Sequence, residues 1–284
     1  MSTTQDQAST NEHTVAPPEA WSAIAEGYDL YVAPQEAELA NEALRHAGLR
    51  PGERFLDVAA GSGGLSLPAA RLGARVLATD WSPAMINRFR ERALNEGLTD
   101  TEGRVMDCHA LDLPDDTFDV AGSQFGVMLV PDQARALSEM VRVTKPGGRV
   151  LIIAYGPPEE LEFLQFFFSA LKVVAPDFPG LPDDPPPLEF QLADPVVLRQ
   201  RLVDAGLKDV QVVRTAERPV FASGQEMWDW VVNGNPIADA VIGELTENQR
   251  LTIRRVLDGM LRERADASGR ATVSDAVHIA VAWK

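Results

Sequence analysis

The feature that most constrains the fold is a short apolar run that ends in a glycine-rich turn. Residues 54–59 have the composition of a buried strand, and the chain then passes through Gly61, Gly63 and Gly64 into a helix-like run, 65–72. Because glycine has no Cβ, the backbone of such a turn can approach a ligand closely. The segment predicts a strand, turn and helix that hold a nucleotide-type ligand.

A second apolar run places an acid where such a ligand needs one. Residues 75–79 predict the next strand, and Asp80 follows at its end, where a carboxylate can accept both hydroxyl protons of a ribose. A dinucleotide fingerprint needs glycine or alanine where Ser66 stands and has no use for Asp57. An NAD(P)-dependent oxidoreductase is therefore the alternative and not the leading interpretation.

The spacing of the first segment resembles that of a known enzyme family. Asp57, Ala59, Gly61 and Gly63 resemble motif I of the class I S-adenosylmethionine (SAM)-dependent methyltransferases, with Ala59 where the family more often has glycine. The resemblance implies that Asp57 helps to hold the amino acid part of SAM. It also implies that the glycine loop passes beneath the methionine and the ribose.

Three further segments resemble the same family in the required order. They span residues 104–119, 118–128 and 143–152, and the resemblance covers about residues 50 to 155. It implies that Asp107 accepts a hydrogen bond from the adenine amino group and that Cys108 supplies backbone beside the ring. The full set of predicted cofactor residues is Tyr28, Asp57, Ala59, Gly61, Gly63, Asp80, Trp81, Asp107, Cys108 and Ser123.

Alternating strand and helix patterns predict an α/β fold with a doubly wound, seven-stranded Rossmann-like sheet. The resemblance implies that the last strand, within 273–283, is antiparallel. The other predicted strands lie near 54–59, 75–79, 104–107, 118–124, 149–155 and 210–215, and predicted helices near 64–72, 83–96, 133–143 and 195–205.

The regions outside this pattern predict a tail, a cap and two lids. Residues 1–18 are polar and lack Lys and Arg, which predicts a disordered tail before a methyltransferase domain of residues 19–284. Cap helices are expected within 19–49. Helical insertions at about 157–192 and 222–268 are expected to cover the mouth of the site as lids.

Aromatic residues are concentrated in both insertions and predict an apolar pocket for a flat acceptor. Burial of the same side chains in a helix core is the plainer alternative. Tyr28 and Tyr31 resemble cap tyrosines of small-molecule methyltransferases, and core packing is an equal alternative for them. The predicted substrate residues are Tyr31, Phe125, Met128, Phe167, Trp228, Trp230 and Asn233.

Charge and composition restrict the partners. The net charge of −16 repels nucleic acid and anionic membranes, and no apolar stretch reaches about 18 residues, the length that spans a bilayer. The lone Cys108 cannot form an internal disulfide, and no secretory signal is recognisable, so a cytoplasmic protein is expected. No metal is expected, and the oligomeric state stays open, a homodimer included.

These observations predict a SAM-dependent methyltransferase that yields S-adenosylhomocysteine and methylates O, N or an electron-rich C of a small apolar, aromatic metabolite, as in secondary metabolism. Catalysis is expected to be mainly positional, because in-line transfer needs aligned groups. The histidines, His13, His46, His109 and His278, are interpreted as structural, so no general base is assigned. A non-catalytic SAM-binding protein is the second alternative.

Overall fold

The fold is built on a seven-stranded sheet. A computed structural model describes residues 16–182, 184–236 and 242–284, so that all but the last few residues of the predicted tail lie outside it. The strands of the large sheet are β1 (Arg54–Val58), β2 (Arg75–Asp80), β3 (Thr101–Val105), β4 (Phe118–Gln124), β5 (Thr144–Tyr155), β6 (Lys208–Glu217) and β9 (Asp275–Trp283).

The strand order is β3-β2-β1-β4-β5-β9-β6. β1 to β5 are parallel, whereas β9 lies between β5 and β6 and is antiparallel to both. The predicted α/β sheet with an antiparallel last strand is confirmed. The order reverses between β1 and β4, and in open α/β sheets ligands bind in the crevice at such a switch point.

Helices cover both faces of the sheet. Thr215 of β6 points to one face and bonds Glu42 of α2, whereas His278 of β9 points to the other and bonds the carbonyl of Ala193, just before α7. The helices are α1 (Pro18–Gly27), α2 (Ala37–His46), α3 (Ser66–Arg71), α4 (Pro83–Asn95), α5 (Gln133–Val143), α6 (Glu162–Val174), α7 (Pro195–Asp204), α8 (Gly224–Gly234) and α9 (Glu247–Arg264). A π-helical turn, Tyr28–Val32, follows α1.

Two predicted strands have the wrong bounds. β3 was expected at 104–107 but runs over Thr101–Val105, because Gly103 lets the strand lie directly against Phe89 and Ile86 of α4. Residues beyond Met106 turn instead, with the Ala110 N–H bonded to the Asp107 carbonyl. β5 was expected at 149–155 but begins at Thr144, so the Gly147–Gly148 segment lies inside it.

The two insertions pack on each other rather than separately. α6, α8 and α9 share one apolar cluster, to which β7 (Val220–Phe221) and β8 (Ala271–Thr272) contribute as a two-stranded ribbon. We call this cluster the lid core. Val32 of the π-helical turn belongs to it as well, so the cap and the insertions form a continuous cover beside the sheet. In the part of the chain described, no helix has the length and apolarity to cross a bilayer.

Candidate active site

A cavity of about 1430 Å³, counted with the solvent space at its mouth, lies over the carboxyl ends of the strands. Its wall combines residues of the cap, the glycine turn, the ends of β2, β4 and β5, and the insertions. Among the lining residues are Trp21, Tyr28, Glu36, Ala59, Gly61, Asp80, Trp81, Gln124, Phe125, Met128, Tyr155, Phe163, Phe167, Glu189 and Trp230.

Gly61 and Gly63 have different roles in the glycine turn. Gly61 lines the cavity with φ +54°, and a Cβ there would lie 3.6 Å from the Tyr28 ring. Gly63, with φ +97°, does not line the cavity, and a Cβ there would lie 2.6 Å from Phe89. Gly61 therefore opens the turn toward a ligand, while Gly63 lets the turn pack on α4. Ala59 also lines the cavity and has a positive φ, +54°.

Asp80 joins the end of β2 to the glycine turn. Its Oδ2 accepts the Gly61 N–H at 2.9 Å, and its Oδ1 accepts the Ser82 N–H at 2.8 Å. Burial raises the pKa of Asp80 to about 6, although these backbone hydrogen bonds favour the charged form. The carboxylate is thus held at the cavity wall in one orientation.

Asp57 lies behind the wall rather than in it. The side chain is 1% exposed, and its Oδ2 accepts the Ser66 hydroxyl proton at 2.6 Å. Burial raises its pKa to about 7, against the effect of the Ser66 hydrogen bond. Asp57 therefore connects β1 to the start of α3 and does not line the cavity.

Glu36 is a lining residue that the sequence analysis missed. It is 4% exposed, and its Oε1 accepts the Tyr28 hydroxyl proton at 2.7 Å. Its Oε2 lies against Gly64, where a Cβ would come within 2.3 Å. Burial raises the Glu36 pKa to about 7, opposed first by the Tyr28 hydrogen bond. Acids are common at helix starts, so the sequence gives no signal for this one.

The ends of β4 and β5 form the floor of the cavity. Phe125 stacks on Tyr155 with ring centroids 4.5 Å apart. Gln124 lines the cavity beside them, whereas Ser123 turns away and accepts the Val127 N–H at 3.1 Å. Sequence reasoning found Phe125 and Met128 but missed Gln124 and Tyr155, whose place after an apolar strand was the available signal.

The insertions supply an aromatic wall beside the floor. Phe163 and Phe167 of α6 line it with Trp230 of α8, and the rings of Phe163 and Trp230 meet edge to face at 5.2 Å. Trp228 packs on Phe167 at 5.9 Å inside the lid core and does not line the cavity.

Four other predicted residues lie off the lining. Tyr31 packs against the lid core, and the Asn233 side chain donates to the Asp229 carbonyl. Asp107 is exposed, and its carboxylate accepts the His109 N–H at 2.9 Å and contacts the His109 ring at 2.7 Å. Cys108, half-buried beside it, is also outside the lining.

Three neighbouring residues after β3 have side chains of the types that bind metals. The side chains of Asp107, Cys108 and His109 offer ligand atoms within 4.8 Å of one another. The Asp107 carboxylate is already paired with His109, and burial raises the Cys108 pKa to about 12, which disfavours the thiolate that binds metals. The prediction that no metal is used stays a prediction.

Within the described part of the chain, the ionisable side chains that line the cavity are all acids, so any charge they carry is negative. Its ionisable groups are the carboxyls of Glu36, Asp80 and Glu189 and the phenols of Tyr28 and Tyr155, with no Lys, Arg or His among the described lining residues. Apolar and aromatic groups make up the rest. The wall therefore favours a neutral or cationic molecule with a flat apolar body and opposes an anion.

Comparison with known proteins agrees with this architecture. A family model described as a methyltransferase domain matches residues 56–152. An uncharacterized protein of Mycobacterium tuberculosis is 42% identical over 141 residues, which is 50% of this chain and 49% of the relative. The chain spans about half the length of this relative and of a matching Mycobacterium bovis protein.

Two further matches cover larger shares of both chains. The demethylmenaquinone methyltransferase of Streptomyces avermitilis is 36% identical over 168 residues, 56% of this chain and 71% of that enzyme. The crystal structure of the Bacillus subtilis YcgJ protein superposes with a TM-score of 0.56 at 17% identity, covering 86% of this chain and 97% of that one, which is a likeness of fold. The chain belongs to the class I SAM-dependent methyltransferase family.

Proposed function

We propose that this protein transfers a methyl group from SAM to a small, largely apolar, aromatic acceptor. One observation carries the proposal: a single cavity runs from Gly61, Asp80 and Trp81 to the aromatic wall of the insertions. The residues expected to hold the cofactor and those expected to hold the acceptor thus line the same cavity.

The residues present fit SAM. The buried Asp80 carboxylate suits two ribose hydroxyls, and Gly61 leaves backbone uncovered beside it. The Trp81 ring at the wall suits stacking on adenine. Glu36, whose Oε2 lies against Gly64, suits the ammonium of the methionine part. Asp107 stays a prediction, because its carboxylate is engaged by His109.

Methyl transfer from SAM requires the chain mainly to position the reactants and to exclude water. When bound, SAM supplies a methyl group already activated on a sulfonium. Phe125, Met128 and Tyr155 contribute apolar surface that excludes water and fixes the acceptor, and such positioning lowers barriers by about 7 to 11 kcal/mol in favourable cases. A role in secondary metabolism and a cytoplasmic location belong to this proposal and rest on the sequence.

The test has two stages. Calorimetry should detect binding of S-adenosylhomocysteine and none of NAD or NADP, since Ser66 stands where a dinucleotide site needs glycine or alanine. Labelled SAM should then pass its methyl group to at least one member of a panel of phenols, indoles and aromatic amines. Binding without transfer would favour a non-catalytic SAM-binding protein, and binding of the nicotinamide dinucleotides alone would refute the proposal.

A further inference from the structure

Three buried polar atoms in the cavity wall lack hydrogen-bond partners among the described residues. They are Oε1 of Gln124, Oε2 of Glu189 and Nε1 of Trp230, and all three residues line the cavity. Gln124 is 8% exposed and Trp230 is 4% exposed. Because buried polar groups in proteins are normally hydrogen-bonded, a ligand that supplied partners to these three atoms would satisfy them.

The two acceptor atoms belong to the same region of the cavity. Gln124 is the last residue of β4. Gln133 donates through Nε2 both to the Met128 carbonyl, at 2.9 Å, and to the Leu188 carbonyl, at 3.2 Å. This side chain therefore holds the turn that carries Glu189 against the loop that follows β4, the loop that begins next to Gln124.

Further carboxyl groups lie near these acceptors. Glu217 and Asp275 oppose each other in the β6–β9 pair, 2% and 0% exposed, and neither Glu217 oxygen has a partner among the described residues. Tyr155 pairs with Val277, two residues from Asp275, so these carboxyls share its face of the sheet. Opposed buried carboxyls are unfavourable when both are charged, and a nearby cation relieves that repulsion.

Aromatic rings that can attract a cation lie in the same cavity as these acceptors. The rings of Tyr155, Phe163 and Trp230 form a chain of contacts: the centroids of Tyr155 and Phe163 lie 5.9 Å apart, and those of Phe163 and Trp230 lie 5.2 Å apart. The faces of such rings attract cations, and the attraction grows when water is excluded. A flat apolar body with a positively charged substituent matches both the rings and the carboxyls.

We propose that the acceptor carries a basic nitrogen, bound as its ammonium, and that Glu189 and Gln124 receive its N–H donors. The inference rests on the proposed function and narrows its substrate class to aromatic amines with an aliphatic ammonium. The Trp230 N–H then serves an acceptor atom on the same body, such as a ring oxygen substituent.

Matched ligands test this charge preference directly. Two series are used, one on indole and one on naphthalene, each with an ethylamine, an ethyl or a propionate side chain. Calorimetry on protein saturated with S-adenosylhomocysteine should show the ethylamine of at least one series binding at least about tenfold more tightly than its ethyl analogue, with the propionate weakest. Equal or reversed ranking, or binding of neither amine, would overturn the inference.

Two variants test whether Glu189 is responsible for the preference for the amine. Glu189→Gln should weaken amine binding about tenfold and leave the ethyl analogue unchanged. Glu263→Gln, on the exposed side of α9, makes the same charge change outside the cavity lining and should alter neither. An equal loss for both ligands in Glu189→Gln would mean a merely structural role. If that variant melts early, the ligand ranking on the native chain decides alone.

A separate titration distinguishes the two proposals. S-Adenosylhomocysteine is titrated first, without acceptor. Failure of that binding refutes the proposed function, whereas normal binding followed by no preference for amines refutes only the substrate class.

Discussion

The Gly61 N–H donates to the Asp80 carboxylate at 2.9 Å, across 19 residues of sequence. This bond fixes the glycine turn after β1 against the end of β2, so it holds together the loop that lines the cavity and the acid that would bind the ribose. Asp80 thereby has two tasks, to shape the turn and to offer charge to the cavity.

Asp80→Ala should weaken binding of S-adenosylhomocysteine at least about 30-fold, because hydrogen bonds to a charged group contribute about 1.5–3 kcal/mol each. Asp80→Asn keeps one carbonyl oxygen for Gly61 and should lose less. Calorimetry measures both. Asp100→Ala, an exposed acid beside β3, is the control and should bind normally. Unchanged affinity in Asp80→Ala would remove the ribose assignment.

Gly63→Ala should destabilise the fold far more than Gly97→Ala. Both glycines have positive φ, +97° and +68°, so both substitutions strain the backbone. Only at Gly63 would the new Cβ also collide, 2.6 Å from Phe89, whereas nothing lies within 4 Å at Gly97. We expect losses of about 1 kcal/mol at Gly97 and at least about 3 kcal/mol at Gly63 in urea unfolding. Equal losses would show that strain alone matters.

The ligand-free protein should become less stable as pH rises from about 5 to 8. Burial raises the pKa of Glu36, Asp57 and Asp275 to about 7 and that of Asp80 to about 6. In this window the folded state therefore binds more protons than the unfolded state, and its stability falls as pH rises. The lowered pKa of His278 acts in the opposite direction, but it is one group against these four and against Glu189 and Glu217, whose pKa burial also raises.

Thermal melts at pH 5.5 and 8 measure this trend, and we expect a Tm lower by at least about 3 °C at pH 8. Carboxyls with lowered pKa, such as Asp119 beside Lys145, are fully charged throughout that window and contribute no slope. A Tm that rises with pH would contradict the burial of these acids.

Tyr28→Phe should destabilise the protein more at pH 8 than at pH 5.5. The Tyr28 hydroxyl stabilises the charged form of Glu36, which predominates only above its pKa of about 7. Removing a partner from a buried charged group costs about 1–3 kcal/mol or more, and less once that group is protonated. Urea unfolding at the two pH values measures the difference. A pH-independent loss would indicate packing alone.

The strand ends around the site were predictable, because glycine spacing and apolar runs are local signals. Asp80, Gly61 and Trp81 follow directly from that pattern and do line the cavity. The antiparallel last strand was anticipated from the family resemblance, and its partners β5 and β6 are separated from it by long stretches of chain.

The lining residues from the cap and the insertions were harder to predict. Whether each of them faces the cavity depends on the direction of its side chain, which a sequence pattern does not give. Trp228 and Trp230 are two residues apart on α8, yet only Trp230 faces the cavity. Glu36 and Glu189 come from a cap helix and a short turn that tertiary packing alone brings to the strand ends. Asp107 was expected at the end of the third strand from the family resemblance, and the early end of β3 leaves it in an exposed turn.

The insertion of β9 between β5 and β6 has a consequence for synthesis. β6 has no neighbour to join until β9 is made, and residues 218–274 separate the two strands. At about 5–20 residues per second the ribosome needs several seconds for that stretch. During this interval β6 is a strand with both edges unpaired, the condition in which nascent chains pair wrongly or recruit chaperones.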